Sequence, residues 1–232
     1  MRSGYYQTHY LDGLSPAQLD LPIHDLAELI FDNVYRQHYP AKFPHLLPKA
    51  KLGILLNNPQ EFLNHQEATQ GSVKRESHGA QHVSRVGALA LMFLNMYIAY
   101  GDLATRQELQ AIINTIPGID NAQKSERFVK FITIAALFHD AGRYGDGEDT
   151  KEWEKAGGLE CREFLKKLGC PDELAKRFGK AAAKKDSAFS GQKDILRSLV
   201  QCADCLDIQR VESFKDFGRN LVSRYAVAPR TR

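Results

Sequence analysis

The first cluster of residues able to do chemistry combines two histidines with an arginine. His78 and His82 are four residues apart, so if the helix begins near Ser77, both imidazoles lie on one face of it. Arg85 follows three residues later on the same face. A single histidine on a helix is usually a satisfied core or surface residue. Two stacked with an arginine favour a site for proton transfer or anion binding as much as a structural role.

A second cluster lies where an apolar run ends. Residues 131–138 are almost entirely apolar, and they lead directly into His139 and Asp140, followed by Arg143. Adjacent imidazole and carboxylate groups can bind a divalent cation, or the carboxylate can orient the imidazole for proton transfer. The alternative, that the pair only solvates a helix end, is disfavoured because the run indicates a helix buried almost to its tip.

The third cluster contains a carboxylate within a mostly apolar helix. Asp204 is flanked by Ala203 and Cys205. Burying an isolated carboxylate costs several kcal/mol, so Asp204 must be paired, protonated or bound to a metal. Asp207 and Arg210, three residues apart, are expected to form a simple pair on the helix surface. That pair leaves Asp204 unexplained.

Helical signals recur along the whole chain, whereas strand alternation is hard to find. A helix is predicted from about 80 to 100, because apolar residues recur there at helical spacing. The prediction is an all-α protein, a compact multi-helix bundle of one domain, with residues 1–75 as its N-terminal helical portion and 76–232 as its core. Further helices, separated by glycines, are predicted at 105–116, 122–141, 151–168, 172–185, 192–211 and 213–225.

Composition excludes several classes of protein. The 232 residues are 43% hydrophobic and 25% charged, as in ordinary soluble domains, and a net charge of +3 gives no reason to expect nucleic acid as a partner. No membrane span and no Sec-type signal are expected, which favours a cytoplasmic location. Cys202 and Cys205 form a CxxC within an apolar run, which indicates two half-buried helical thiols rather than a zinc or redox site.

The order of these clusters resembles a known superfamily. His82, then His139-Asp140, then Asp204, each on a helix, are similar to the motifs of the HD superfamily of phosphohydrolases and phosphodiesterases. The resemblance implies an HD-type helical bundle and a phosphate-containing substrate. If a metal binds, His82, His139, Asp140 and Asp204 supply nitrogen and oxygen ligands suited to Mn, Fe, Mg or Zn.

A narrower resemblance extends loosely over residues 20–215. The segments from His78 to Arg85, from His139 to Glu148 and from Ala203 onward resemble the phosphodiesterase domain of the SidE-family effectors of Legionella. That family handles ADP-ribosylated ubiquitin, releasing AMP and attaching phosphoribosyl to serine, and relatives reverse the linkage. The resemblance implies modified ubiquitin as a partner and the host cytosol as the location. It also implies catalysis by histidines and a glutamate, here His78 and Glu148, without a required metal.

One departure from the SidE pattern concerns a downstream histidine that takes up phosphoribosyl covalently. This chain has no histidine after His139, and the expected region contains Lys184 and Lys185. A lysine holds phosphate as a point charge, but at pH 7 it is protonated and a poor nucleophile. The alternatives to covalent transfer are therefore hydrolysis, nucleotide or ubiquitin binding without turnover, and metal-dependent nucleotide phosphohydrolysis of the general HD class.

Two mechanisms fit these residues. A bound divalent cation would shield the charge of the phosphate and lower the pKa of a water molecule. The phosphate oxygens would then be clamped by basic groups, namely His78, Arg85, Arg143, Lys184 and Lys185. Without a metal, His78 or His82 acts as general acid or base, His139 and Asp140 orient the partner, and Glu148 holds a ribose hydroxyl or poises a histidine. A chelator is expected to inhibit the metal-dependent mechanism and to leave the metal-free mechanism unaffected.

Overall fold

The computed structural model describes residues 8–30, 80–142, 153–183 and 194–208. Within these ranges the protein is helical and contains no strand, which confirms the all-α prediction. The described residues form two short 3-10 helices followed by seven α-helices. The 3-10 helices are Thr8–Gly13 and Pro16–Asp20, and the α-helices are α1 (Ile23–Ile30), α2 (Ala80–Tyr100), α3 (Leu103–Asn114), α4 (Asn121–Phe138), α5 (Trp153–Lys167), α6 (Asp172–Ala183) and α7 (Ile195–Ile208).

Aspartate caps fix where three of the helices begin. Asp102 accepts a hydrogen bond from the Thr105 amide at 2.7 Å to start α3, and Asp120 accepts one from the Gln123 amide at 2.8 Å to start α4. Asp194 caps α7 in the same way. Each cap satisfies a backbone donor that the first turn leaves without an intrahelical partner. The predicted bounds that fall within the described residues are confirmed to within three residues, whereas the bounds at 151, 185, 192 and 211 and the helix at 213–225 lie outside them.

The described N-terminal residues pack against α4. Pro16 starts a 3-10 helix rather than the α-helix that its capping pattern suggests, and the Ser15 amide donates to the Gln18 side chain at 2.7 Å. The α-helix begins only after Pro22, and Leu26 and Ile30 are buried on it. The buried ammonium of Lys130 on α4 donates to the carbonyl of Leu19 at 2.5 Å, which ties the 3-10 helix to the core.

The centre of the bundle is formed by α2, α4 and α7, with α5 and α6 packed alongside. The second half of α4 is buried on every side, and rings from neighbouring helices pack there in tilted or edge-to-face pairs. On α5 and α6, Gly158 and Gly179 face each other so closely that a Cβ on either would lie about 2.5 Å from the other's carbonyl oxygen. The two backbones are thus in direct contact.

One described helix meets the length and composition of a membrane span, contrary to the sequence-based expectation that no segment does. It covers His82–Tyr100, and 56% of it is buried inside the protein. Its first half carries charged and buried residues, whereas Met96, Ile98 and Tyr100 at its far end are exposed. A core helix of a soluble protein passes the same test, so this feature is weak support for a membrane span.

Candidate active site

Three helices bring the predicted side chains together. α2 packs along α7, and the C-terminal end of α4 meets both, with His139 as the first residue beyond α4. His82 Nε2 lies 3.1 Å from His139 Nε2 and 3.1 Å from Asp204 Oδ1. The same atom is 3.5 Å from Asp140 Oδ2. We refer to His82, His139, Asp140 and Asp204 as the His/Asp cluster.

The ligand atoms of His82, His139 and Asp140 all lie within 4.8 Å of one another, and Asp204 Oδ1 approaches both Nε2 atoms. His139 Nε2 is 3.3 Å from Asp204 Oδ1 and 3.6 Å from Asp140 Oδ2. All four residues are buried. The structure therefore brings together the four residues that the sequence assigned to a metal site, although they are up to 122 positions apart in the chain.

Hydrogen bonds on the far side of each ring orient the two imidazoles. His82 Nδ1 is 2.7 Å from Asp207 Oδ2, and His139 Nδ1 is 2.6 Å from the carbonyl oxygen of Ala136. Because both partners can only accept, each Nδ1 carries a proton and donates it. Each Nε2 is consequently the nitrogen that faces the His/Asp cluster. This is the usual arrangement of histidines that ligate a metal.

Asp207 is not the surface residue that the sequence suggested. The residue is 3% exposed, and its carboxylate accepts two hydrogen bonds from Arg85, from Nε to Oδ1 and from Nη2 to Oδ2 at 3.1 Å. The predicted surface pair with Arg210 is wrong on this point, and Arg210 itself lies outside the described residues. The missed signal was a shared spacing, since His82 and Arg85 on α2 are three apart, as are Asp204 and Asp207 on α7.

Charge interactions outweigh burial at two of these residues. Burial alone would lower the pKa of His82, but its hydrogen bonds to Asp204 and Asp207 and the negative charges nearby raise it above the ordinary value. Burial would raise the pKa of Asp207, yet hydrogen bonds from His82 and Arg85 hold it well below the usual range of a carboxyl. Asp207 is therefore ionised, and it accepts hydrogen bonds from both His82 and Arg85.

A glycine on α5 allows close packing against the turn that carries His139 and Asp140. A Cβ at Gly157 would lie 2.7 Å from the carbonyl oxygen of Phe138 and 3.2 Å from the amide nitrogen of Gly142. That turn is closed by a 3.0 Å hydrogen bond from the Ala141 amide to the Phe138 carbonyl. Only a residue without a side chain lets α5 approach the backbone this closely.

The donor set and its spacing fit a divalent cation. Ligand atoms at about 2.1 Å from a metal are separated from one another by about 3.0–3.5 Å in octahedral or tetrahedral geometry. The distances measured from the two Nε2 atoms to each other and to the carboxylate oxygens span 3.1–3.6 Å. In addition, two Nε2 lone pairs 3.1 Å apart repel each other unless a proton or a cation lies between them.

Five other predicted site residues lie outside the described residues. They are His78, Arg143, Glu148, Lys184 and Lys185. Arg85, predicted to bind substrate, is described and is engaged with Asp207. Cys202 and Cys205 are half-buried on α7, as predicted, and the four cysteines, all within the described residues, form no disulfide.

An all-helical bundle with a buried cluster of histidine and aspartate at the meeting point of three helices is an arrangement suited to phosphate-ester hydrolysis. The family comparison makes the assignment specific. Residues 44–230 match the model of the SidE phosphodiesterase (PDE) domain, so the chain belongs to that family and is a phosphodiesterase. No curated protein and no solved structure was found to match the chain.

Proposed function

We propose that the chain hydrolyses a phosphodiester or pyrophosphate bond at the His/Asp cluster, with a divalent cation bound there. The observation that carries the proposal is the distance from the two Nε2 atoms to each other and to the carboxylate oxygens, 3.1–3.6 Å, which is close to the separation of about 3.0–3.5 Å between ligand atoms around one cation. Membership of the SidE phosphodiesterase family supports the reaction class.

In this proposal each residue of the His/Asp cluster has a defined task. His82 and His139 offer Nε2, and Asp140 and Asp204 offer carboxylate oxygens, to Mn, Fe, Mg or Zn. When bound, such a cation shields the charge of the phosphate and makes a water molecule more acidic. His78, Arg143, Lys184 and Lys185 are assigned to the phosphate oxygens. Arg85 is withdrawn from that group, because both of its observed hydrogen bonds go to Asp207.

A metal-free mechanism is the second candidate, and the resemblance to the SidE family favours it. In that version His82, whose pKa is raised, carries the proton that a general acid needs. The proton on Nε2 would lie between the two imidazoles, where the first mechanism has a cation. His78 and Glu148 would be the other catalytic groups. The two mechanisms therefore differ in whether a metal cation or a proton lies between the two imidazoles.

The proposed substrate is ADP-ribosylated or phosphoribosylated ubiquitin, and the proposed location is the host cytosol, both on the strength of the family resemblance. Hydrolysis is favoured over covalent phosphoribosyl transfer, because the chain has no histidine after His139 to take up the group. The same departure supports a third reading from another class, a nucleotide- or ubiquitin-binding module without turnover.

An assay of the purified chain separates these readings. ADP-ribosylated ubiquitin and bis(4-nitrophenyl) phosphate are each incubated with the protein alone, with EDTA, and with EDTA followed by excess Mn²⁺. Loss of turnover with EDTA and recovery with Mn²⁺ are expected. Turnover that resists EDTA would replace the metal mechanism with the metal-free one.

The control variant in that assay is His82→Gln, which removes one Nε2 from the His/Asp cluster. It is expected to abolish turnover on both substrates while the helical content stays unchanged by circular dichroism. Full activity of His82→Gln would show that the reaction takes place elsewhere. No turnover by the unaltered chain, together with tight binding of ADP-ribose, would favour the binding module.

A further inference from the structure

The imidazole of His82 is held between two carboxylates of a single helix. Its Nδ1 is 2.7 Å from Asp207 Oδ2, and its Nε2 is 3.1 Å from Asp204 Oδ1. Asp204 and Asp207 are three residues apart on α7, so their side chains share one face of that helix. A flip of the ring would exchange the partners of both nitrogens. One helix thus determines both the place and the direction of the ring.

The guanidinium of Arg85 binds the carboxylate of Asp207, which in turn binds His82. It lies one turn along α2 from His82, and its guanidinium donates to both oxygens of Asp207. Oδ2 therefore accepts from Arg85 at 3.1 Å and from His82 at 2.7 Å. Arg85 is 8% exposed, so the pair is shielded from water. A two-point contact of this kind fixes the plane of the carboxylate as well as its position.

We propose that Asp207 is the positioning residue of His82, and that Arg85 in turn positions Asp207. The inference rests on the proposed function, in which His82 Nε2 serves the reaction either as a cation ligand or as a proton carrier. Asp207 keeps the proton of the ring on Nδ1 and thereby presents Nε2 to the His/Asp cluster. Arg85, whose type and spacing suggested a phosphate clamp, has this structural task instead.

Replacing Asp207 with asparagine tests the idea with little change in shape. An asparagine has one acceptor oxygen for the two donors, Arg85 and His82. When its NH₂ group faces the ring, Nδ1 must accept and the ring proton moves to Nε2, into the His/Asp cluster. In the Ser-His-Asp triad the same replacement selects the wrong tautomer and lowers kcat about 10⁴-fold. Loss of an outer partner of a metal-bound histidine costs about 10–100-fold in metal affinity or activity.

The experiment compares Asp207→Asn and Arg85→Lys with a matched control, Asp194→Asn. Asp194 lies at the other end of α7 and is also paired with an arginine, Arg177, but it is partly exposed. For each protein four quantities are measured. They are kcat and KM on bis(4-nitrophenyl) phosphate, the Kd for Mn²⁺ by electron paramagnetic resonance, the tautomer of His82 by ¹⁵N NMR, and the thermal unfolding midpoint.

Asp207→Asn is expected to lower kcat about 10–100-fold with KM changed less than about threefold, to weaken Mn²⁺ binding by a similar factor, and to move the His82 proton to Nε2. Arg85→Lys is expected to have an intermediate effect, because an ammonium cannot bind both oxygens in the geometry of a guanidinium. Asp194→Asn should match the unaltered protein in kcat, Mn²⁺ affinity and tautomer.

Two results would overturn the inference. The first is an Asp207→Asn variant with unaltered kcat and tautomer, in a protein that His82→Gln inactivates. The second is a ¹⁵N spectrum of the unaltered chain in which Nδ1 of His82 carries no proton. This result does not depend on whether a variant folds. An active His82→Gln protein would instead refute the proposed function itself, so the two failures are distinguishable.

Discussion

Arg85 and Arg177 each connect helices through ion pairs with acidic side chains, but Arg85 is buried and Arg177 is partly exposed to solvent. Arg85 joins α2 to α7 through Asp207, and Arg177 joins α6 to Glu108 on α3 at 2.8 Å and to Asp194 before α7 at 2.7 Å. The side chain of Arg85 is 9% exposed and that of Arg177 is 34% exposed. Both act as bridges between helices, and they differ mainly in how far water reaches them.

The difference in exposure gives the two networks different roles. Moving an ion out of water costs several kcal/mol, so a buried pair persists only with good geometry and with its remaining hydrogen bonds made. Asp207 meets that condition by accepting from both Arg85 and His82. An exposed pair is screened and gains little. The buried network therefore fixes side-chain geometry, whereas the exposed one leaves geometry to the packing of the helices.

The largest effect is expected from removing the buried arginine. Arg85→Met removes both hydrogen bonds that Arg85 donates to the buried, ionised carboxylate of Asp207, and breaking a buried pair in this way costs about 3–5 kcal/mol. Urea unfolding followed by circular dichroism measures the loss. A change below about 1 kcal/mol would mean that water reaches Asp207 and that the contrast with Arg177 is not real.

A smaller but site-directed effect is expected from Gly157→Ala. The added methyl group would lie 2.7 Å from the Phe138 carbonyl, so α5 or the turn bearing His139 and Asp140 must shift. Overpacking of this kind costs about 1–3 kcal/mol. Turnover and Mn²⁺ affinity should fall together with stability. Gly13→Ala, where a Cβ meets nothing within 4 Å, is the matched control and should leave all three unchanged.

Acid should weaken the buried network in a predictable direction. Because the folded state lowers the pKa of Asp207, its ionised form adds stability that is fully present above about pH 4 and is lost as the pH falls toward the folded-state pKa. The unfolding free energies of the unaltered protein and of Asp207→Asn should therefore converge below pH 4, by up to about 1.4 kcal/mol per pH unit. Parallel pH curves for the two proteins would contradict the assignment.

The smallest effect is expected at Arg177, the partly exposed arginine. Arg177→Met is predicted to cost less than about 1 kcal/mol, since both of its partners remain accessible to water. Adding 0.5 M NaCl should reduce even that difference, whereas the cost of Arg85→Met should be almost independent of salt. A loss at Arg177 equal to that at Arg85 would show that burial does not separate the two networks.

The sequence was sufficient to predict the all-α fold, whereas the grouping of the four residues of the His/Asp cluster was inferred from the resemblance to the HD superfamily. Helix starts depend on local residues such as Asp102 and Asp120, whose caps form within three positions of the chain. His139, Asp140 and Asp204 were identified because polar groups in apolar helices need partners. Such features lie within short segments of the chain and do not depend on how the helices pack.

The features that the sequence did not predict depend on which faces of the helices pack against each other. Asp207 was interpreted as a surface residue because its spacing to Arg210 fits a helical pair, and nothing in α7 alone states that this face packs on α2. The role of Gly157 was missed for the same reason, since the close approach to Phe138 joins elements that are distant in the chain. Both features become visible only when α2, α5 and α7 are placed around the end of α4.

The bond from His139 Nδ1 to the Ala136 carbonyl also has a consequence for motion. The ring donates a hydrogen bond to a carbonyl in the last turn of α4, where backbone acceptors lack intrahelical donors. The orientation of the ring and the closure of that turn are therefore linked. A cation bound to Nε2 is therefore expected to slow the opening of that turn. Amide hydrogen exchange at residues 138–142 should slow when Mn²⁺ is added, while the remote amides at 112–116 exchange as before.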